Sequence, residues 1–398
     1  MDYELSYVLV SPYTVAKGRI GGVLSRLLTQ VDLELVGAQL IAPDNEFAQE
    51  YAHILSLQGK GALSEASKLL QNYVLNNIAP TGKRAHRTLL LLFRGTNACR
   101  KLSDICGALY AENRGVESLT GETIRDTYAD LIKDDQTGEV TYFEPAVLTP
   151  RKPEYANRAL RLLARWLPSQ PNIVHNVTYP ESENIERSLV ILKPDNWNFA
   201  SSRPGAIIDM FSRTGMRIVG VKVHRMSVSQ ALEFYKPVKK ALQQRLAEPI
   251  GKQARQLLES KFSIHLSEKA ERKIIESVGK EYAEDQFEQI VEFMSGTKSG
   301  ECPVEQLDQS GSVKCMMMVY EGESAVSKIR DVLGPTDPTK APGGTVRREF
   351  GSNIMANTAH ASASVKNAER EIEVVDFDRN SCSEIINAYI TLWDEDHR

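Results

Sequence analysis

Apolar positions along this chain recur with two periods, one suited to strands and one to helices, and the same succession of periods occurs twice. Residues 6–38 read SYVLVSPYTVAKGRIGGVLSRLLTQVDLELVGA. They give an apolar strand-like run, a proline, a glycine that opens an amphipathic stretch, and a second run ending near Val36-Gly37. Residues 188–222 read SLVILKPDNWNFASSRPGAIIDMFSRTGMRIVGVK, the same order with two extra residues before the glycine. Self-similarity of this kind marks a duplicated unit. The echo continues downstream. Residues 88–95 and 314–322 are each an apolar strand with a glycine turn, residues 121–125 (GETIR) match 343–347 (GGTVR), and residues 155–160 (YANRAL) resemble 367–372 (NAEREI). The joint lies in PSQPNIVHNVTYPESENIE, rich in Pro, Asn and Ser as linkers are.

Within the second copy, residues 189–192 predict a short buried strand. Ile207, Ile208 and Phe211 fall at helical spacing over 206–213, with Gly215 as the stop. Val219, Val221 and Val223 alternate as one face of a strand. Helical signals return at 229–235 and again over the charged stretch 243–294. Residues 314–320 predict a strand, with Met316, Met317 and Met318 as core packing, and 324–333 a helix ending at Gly334. This order predicts an α+β fold: two tandem ferredoxin-like (βαββαβ) domains with helical insertions, each a small antiparallel sheet with helices on one face. The expected boundaries are 1–167 for the first domain, 168–185 for the linker and 186–398 for the second.

Composition narrows the function classes. Of 398 residues 42% are hydrophobic and 25% charged, and the formal net charge is −4, so nothing favours a nucleic-acid or membrane partner. The five cysteines form no CxxC pair, which argues against a disulfide framework or zinc ribbon. Apolar runs are too short to span a bilayer, and the start, Met1-Asp2-Tyr3, lacks the basic flank of a signal peptide. A cytoplasmic protein is expected.

The densest chemistry lies in RREFGSNIMANTAHASASVKNAERE, residues 347–371. His360 ends a short apolar run, Asn357 stands three residues before it, and Ser362 or Ser364 can cap the helix that carries Glu371. A histidine just before a helix start would sit where backbone N–H groups favour an anion. A neutral imidazole there is a competent nucleophile, and a carboxylate such as Glu371 can hold its tautomer.

Four separated blocks of this half resemble the nucleoside diphosphate kinase family, in the family's order. They are Lys193-Pro194-Asp195; Arg330 to Pro338 (RDVLGPTDP); Pro342 to Arg347 (PGGTVR); and Asn357-Thr-Ala-His360-Ala-Ser362-Ala-Ser364. The resemblance implies a transfer of the γ-phosphate of a nucleoside triphosphate to a diphosphate, with His360 as the phosphorylated nucleophile and Glu371 its partner. It implies that Lys193, Arg330, Thr336 and Arg347 hold the phosphates, and that Lys193 and Asn357 touch the sugar. Tyr235 would stand beside the nucleophile and Phe287 would stack on the base. ATP and other nucleoside tri- and diphosphates are the implied partners. Mg2+ would arrive with the nucleotide, since no carboxylate cluster looks like a dedicated metal cage. A phosphohistidine relay or nucleotide-sensing protein is the alternative.

Departures from the family pattern are a longer loop at 196–203, insertions over 238–286 and 297–311, and Ala363 where an acidic residue is common. In the first copy Ser11 stands at the place of Lys193, Ser103 at that of Arg330 and Arg125 at that of Arg347. The histidine place falls near Leu148 or Thr149. A non-catalytic first copy packed against the second is expected, with a homo-oligomer left open.

Overall fold

A computed structural model describes residues 3–57, 63–82, 84–109, 121–179 and 184–396. The first copy runs β1 (Glu4–Val10), α1 (Pro12–Ala16), α2 (Ile20–Gln30), β2 (Glu34–Ile41), α3 (Asn45–Ser56) and α4 (Leu63–Tyr73). It continues with β3 (Thr88–Gly95), α5 (Ala98–Cys106), α6 (Ile124–Tyr128), a ribbon of β4 (Asp130–Lys133) and β5 (Val140–Glu144), β6 (Val147–Leu148) and α7 (Pro153–Trp166). The second copy runs β7 (Ile185–Leu192), α8 (Arg203–Ser212), β8 (Arg217–His224), α9 (Val228–Phe262), α10 (Glu268–Ile274) and α11 (Lys280–Ser295). It closes with β9 (Cys315–Glu323), α12 (Ala325–Leu333), α13 (Val346–Phe350), β10 (Ala359–Ala361), α14 (Val365–Val374) and α15 (Ser381–Asp396).

Packing divides the chain into two units that do not follow the two sequence halves. One comprises Met1–His224, Met316–Glu369 and Asp376–Arg398; the other comprises Arg225–Cys315 and Arg370–Val375. The first unit holds a single eight-stranded sheet in the order β10-β7-β9-β8-β2-β3-β1-β6. Each half carries the ferredoxin-like order, and the two halves meet back to back where β8 pairs antiparallel with β2, Gln39 opposite Lys222. On one face α2 and α8 cross, and glycines permit it. A Cβ at Gly21 would lie 2.2 Å from the Gly205 carbonyl oxygen, and one at Gly205 would lie 2.1 Å from that of Gly21. Only a residue without a side chain fits at either place.

Helices cover both faces of the first copy's sheet rather than one. Val8, Leu89, Leu91 and Phe93 join a core with Val23, Leu27, Ile208 and Phe211, while Tyr7, Leu9, Leu90 and Leu92 join another with Phe47, Leu160 and Leu163. The unbroken apolar run of β3 is the reason, since a strand buried on both sides loses its alternation. The second core also takes Cys382, Ile386 and Tyr389 from α15, so the end of the chain is built into the first copy.

The second unit is helical. The helical stretch expected at 229–235 and the beginning of the one expected over 243–294 are one helix, α9, which runs through Pro237 and Pro249. It starts with a capping box in which Ser227 Oγ accepts from the Gln230 N–H at 3.1 Å and the Gln230 side chain accepts from the Ser227 N–H at 3.2 Å. Small residues let the returning chain approach it: a Cβ at Gly279 would lie 2.1 Å from the Ala247 carbonyl oxygen. No described helix is long and apolar enough to cross a membrane.

Candidate active site

β10 sits at the edge of the sheet against β7, with His360 opposite Ile191 and Ala359 opposite Leu192. His360 is therefore a strand residue, half-buried, and α14 begins five positions later, after Ser364. Ser364 caps that helix, accepting from the Asn367 N–H at 3.1 Å, and Ser362 is instead buried and accepts from the Leu189 N–H at 3.1 Å.

Before the histidine the backbone takes an unusual turn. Thr358 is fully buried with φ of 78°, a left-handed conformation that β-branched residues rarely adopt. Its surroundings hold it there. The Thr358 carbonyl accepts from the Lys193 N–H (3.0 Å) and from Asn196 Nδ2 (2.7 Å), and its hydroxyl accepts from Arg203 Nη2 (2.9 Å). Arg203 also pairs with Asp195 (2.9 Å) and donates to the Phe350 carbonyl (2.8 Å). The motif Lys193-Pro194-Asp195 thus positions the histidine strand as well as supplying a cation. Arg203 and Asn196 were given no role by sequence reasoning, although Arg203 is the residue that opens α8 ahead of Pro204.

Asn357 joins three segments. Its Oδ1 accepts from Lys193 Nζ at 2.7 Å, and its Nδ2 donates to the carbonyls of Thr336 (3.1 Å) and Ile354 (2.8 Å). Arg347 donates from Nη1 to the Gly334 carbonyl and from Nη2 to the Ala359 carbonyl, each at 2.9 Å. Burial, and then the nearby Arg347 charge, lower the Lys193 ammonium to about 8. Two cations held this close raise the local potential, which suits an anion. Arg330 and Thr336 are exposed, and the Arg330 guanidinium makes no hydrogen bond or ion pair among the described residues. Lys193, Arg330, Thr336, Arg347, Asn357 and His360 all belong to the first unit.

Tyr235, Phe287 and Glu371 belong to the second unit. Tyr235 is buried beside Phe234, with ring centroids 5.0 Å apart. Phe287 is 1% exposed, and Lys239 Nζ lies 5.1 Å from its ring centroid, so in this conformation the ring offers no open face for a base. Glu371 is buried with Arg370 nearby, Nη2 to Oε1 at 3.9 Å, and Arg370 donates to the carbonyls of Glu233 and Phe234, both at 3.1 Å.

The first copy reproduces this backbone with other side chains at most of these places. The Ser11 N–H donates to the Ala146 carbonyl at 2.9 Å, as Lys193 does to Thr358, and Ala146 also has positive φ, 59°. Leu148 faces Leu9 across β6 and β1 in the register that His360 and Ile191 share. Gly107 and Gly334 end α5 and α12 with φ of 85° and 82°, which places Ser103 at the position of Arg330. Arg125 donates to the carbonyls of Gly107 and Val147, the counterparts of the two that Arg347 reaches.

Comparison with known proteins gives one family. The model described as "Nucleoside diphosphate kinase" matches residues 237–380. The chain is 31% identical over 188 residues to a nucleoside diphosphate kinase of a Nitratiruptor species, covering 47% of this chain and 93% of that protein. It is 32% identical over 187 residues to one of Helicobacter pylori, covering 47% and 92%. Among solved structures, the Aquifex aeolicus nucleoside diphosphate kinase matches at 25% identity and a TM-score of 0.31, over 48% of this chain and 94% of that one.

Proposed function

The chain belongs to the nucleoside diphosphate kinase family, and from that premise we propose that its second copy passes the terminal phosphoryl group of ATP or another nucleoside triphosphate to a nucleoside diphosphate through His360. An imidazole nitrogen attacks the γ-phosphorus while the bond from that phosphorus to the β–γ bridging oxygen breaks, and its electron pair leaves with the diphosphate. A terminal oxygen of the incoming diphosphate then attacks the phosphohistidine, and the N–P electron pair returns to the ring.

The observation that carries this reading is the meeting of Lys193, Asn357 and the Thr336 backbone in one hydrogen-bonded group beside the strand of His360. Lys193, Arg330 and Thr336 would hold the phosphates, with Lys193 and Asn357 also at the sugar. Arg347 contributes its field and fixes the backbone on either side. Glu371, Tyr235 and Phe287, to which the family resemblance gives the roles of imidazole partner, neighbour of the nucleophile and base platform, belong to the second unit, and Phe287 as buried here offers no face to a base. Magnesium enters with the nucleotide as part of the substrate, drawing charge from the β- and γ-phosphates. Among the described residues no group of three or more His, Cys, Asp or Glu is placed to hold an ion. The first copy is the non-catalytic partner.

The test is incubation with γ-labelled ATP and a mixture of GDP, CDP and UDP, read by chromatography and by acid-labile label on the protein. Labelled new triphosphates are expected, and their loss in His360→Gln. Labelled protein without new triphosphates would overturn the kinase reading in favour of a phosphohistidine relay.

A further inference from the structure

Where the two copies meet, the first unit contains a cleft outside the candidate active site. Two cavities of about 300 and 290 Å³ share the walls Val15, Ala16, Arg87 and Arg217. Lys17 lines the first, and Arg84 with His86 lines the second. None of the residues lining either cavity carries a carboxylate.

The cations are held together by the fold. Arg87 leads into β3 and donates from Nη1 to the Ile218 carbonyl at 2.7 Å, on the strand that Arg217 opens. Burial and then the charge of Arg217 lower the Arg87 pKa, and the charge of Arg84 adds to this. Burial, and to a smaller extent the charge of Arg84, likewise lower His86. The carboxylate that acts on Arg87, Glu321, is already paired with Arg187 at 2.8 Å. Solvated basic side chains normally spread apart, since like charges repel; here its bond to the Ile218 carbonyl holds Arg87 next to the start of the strand that carries Arg217, and both line one concave space.

We propose that this seam cleft is a second anion site, which binds a small phosphate-bearing anion of the size of pyrophosphate through Arg84, Arg87, Arg217 and Lys17. Guanidinium forks suit phosphate oxygens, and four cations match a highly charged ligand better than a single phosphate. It would let phosphate-bearing metabolites bias the contact between the copies without entering the candidate active site.

The probe is inorganic pyrophosphate, titrated calorimetrically into the full chain, into Arg84→Ser/Arg217→Ser, and into Lys193→Met. Arg84 and Arg217 are exposed and make no side-chain hydrogen bond among the described residues, so their replacement leaves the fold in place. Two classes of site are expected in the parent protein. The seam variant should weaken one class by roughly tenfold or more, while γ-phosphate transfer continues at the parent's rate. Lys193→Met should remove the other class and keep the seam class. A seam variant that binds pyrophosphate as the parent does, or a parent whose binding vanishes entirely with Lys193→Met, overturns the proposal.

Discussion

Lys193 Nζ lies 2.7 Å from Asn357 Oδ1, which joins residues 164 positions apart in the sequence into one hydrogen bond. The lysine belongs to the loop after β7 and the asparagine to the turn before β10, so the bond forms only when the sheet closes. Its immediate consequence is electrostatic. Burial and Arg347 lower the free ammonium to about 8. A bound triphosphate stabilises the charged form and raises that value, so binding takes up a proton above pH 8. Affinity should be flat below pH 8 and fall by up to about tenfold per unit above it. Calorimetry of ATP binding to His360→Gln, in buffers of differing ionisation enthalpy, measures both effects; pH-independent affinity from about 7 to 9.5 would contradict the assignment.

The arginines Arg125 and Arg347 make matching pairs of bonds in the copy with Leu148 and in the copy with His360 at the same register place. A structural role common to both follows. Arg125→Ala leaves two carbonyls without their charged donor and should cost about 2–4 kcal/mol of stability. Phosphoryl transfer per folded molecule should not change. Urea unfolding and a parallel transfer assay read the two quantities separately.

Restoring the ring alone should not restore chemistry. Leu148 occupies the register position of His360, yet Ser11 and Ser103 replace the cations that serve the second copy. Leu148→His in a His360→Gln background is expected to take up no acid-labile phosphate from ATP. Label on that variant would show that an imidazole in this register needs no phosphate clamp around it.

At the crossing of α2 and α8, a methyl group at Gly21 or Gly205 meets backbone within 2.2 Å. Either alanine substitution should push the helices apart and cost more than about 3 kcal/mol. Gly300, where an added Cβ meets nothing within 4 Å, is the control and should stay near neutral. Thermal melting of the three variants tests the contrast.

Much of the candidate site could be read in the sequence because its groups come in short blocks whose order survives insertion. Lys193 and Asn357 open such blocks, and His360 lies within the one that Asn357 opens. The copy relationship was equally readable, since Ser11 and Leu148 fall in the backbone places that the repeats suggested. Other features were hidden for physical reasons. Prolines normally end helices, yet α9 absorbs Pro237 and Pro249. An arginine in a phosphate-binding motif reads as a clamp, and nothing in its spacing reveals that Arg347 also holds the carbonyls of Gly334 and Ala359. The β4–β5 ribbon went unmarked, although the turn around Asp134, which accepts from the Gln136 and Thr137 N–H groups, has an ordinary turn composition. Burial of Phe287 depends on packing that no local pattern encodes.

Helix α15 places Cys382, Ile386 and Tyr389 in the core beneath β1 and β3, elements translated long before it. A nascent chain therefore carries an unfinished apolar surface until α15 has been made and can close it. Such a surface invites chaperone binding until then. A stalled ribosomal complex ending at residue 375 should leave the first copy open to protease, and one from which α15 has emerged should protect it; equal protection in both would remove the coupling between α15 and the stability of the first copy.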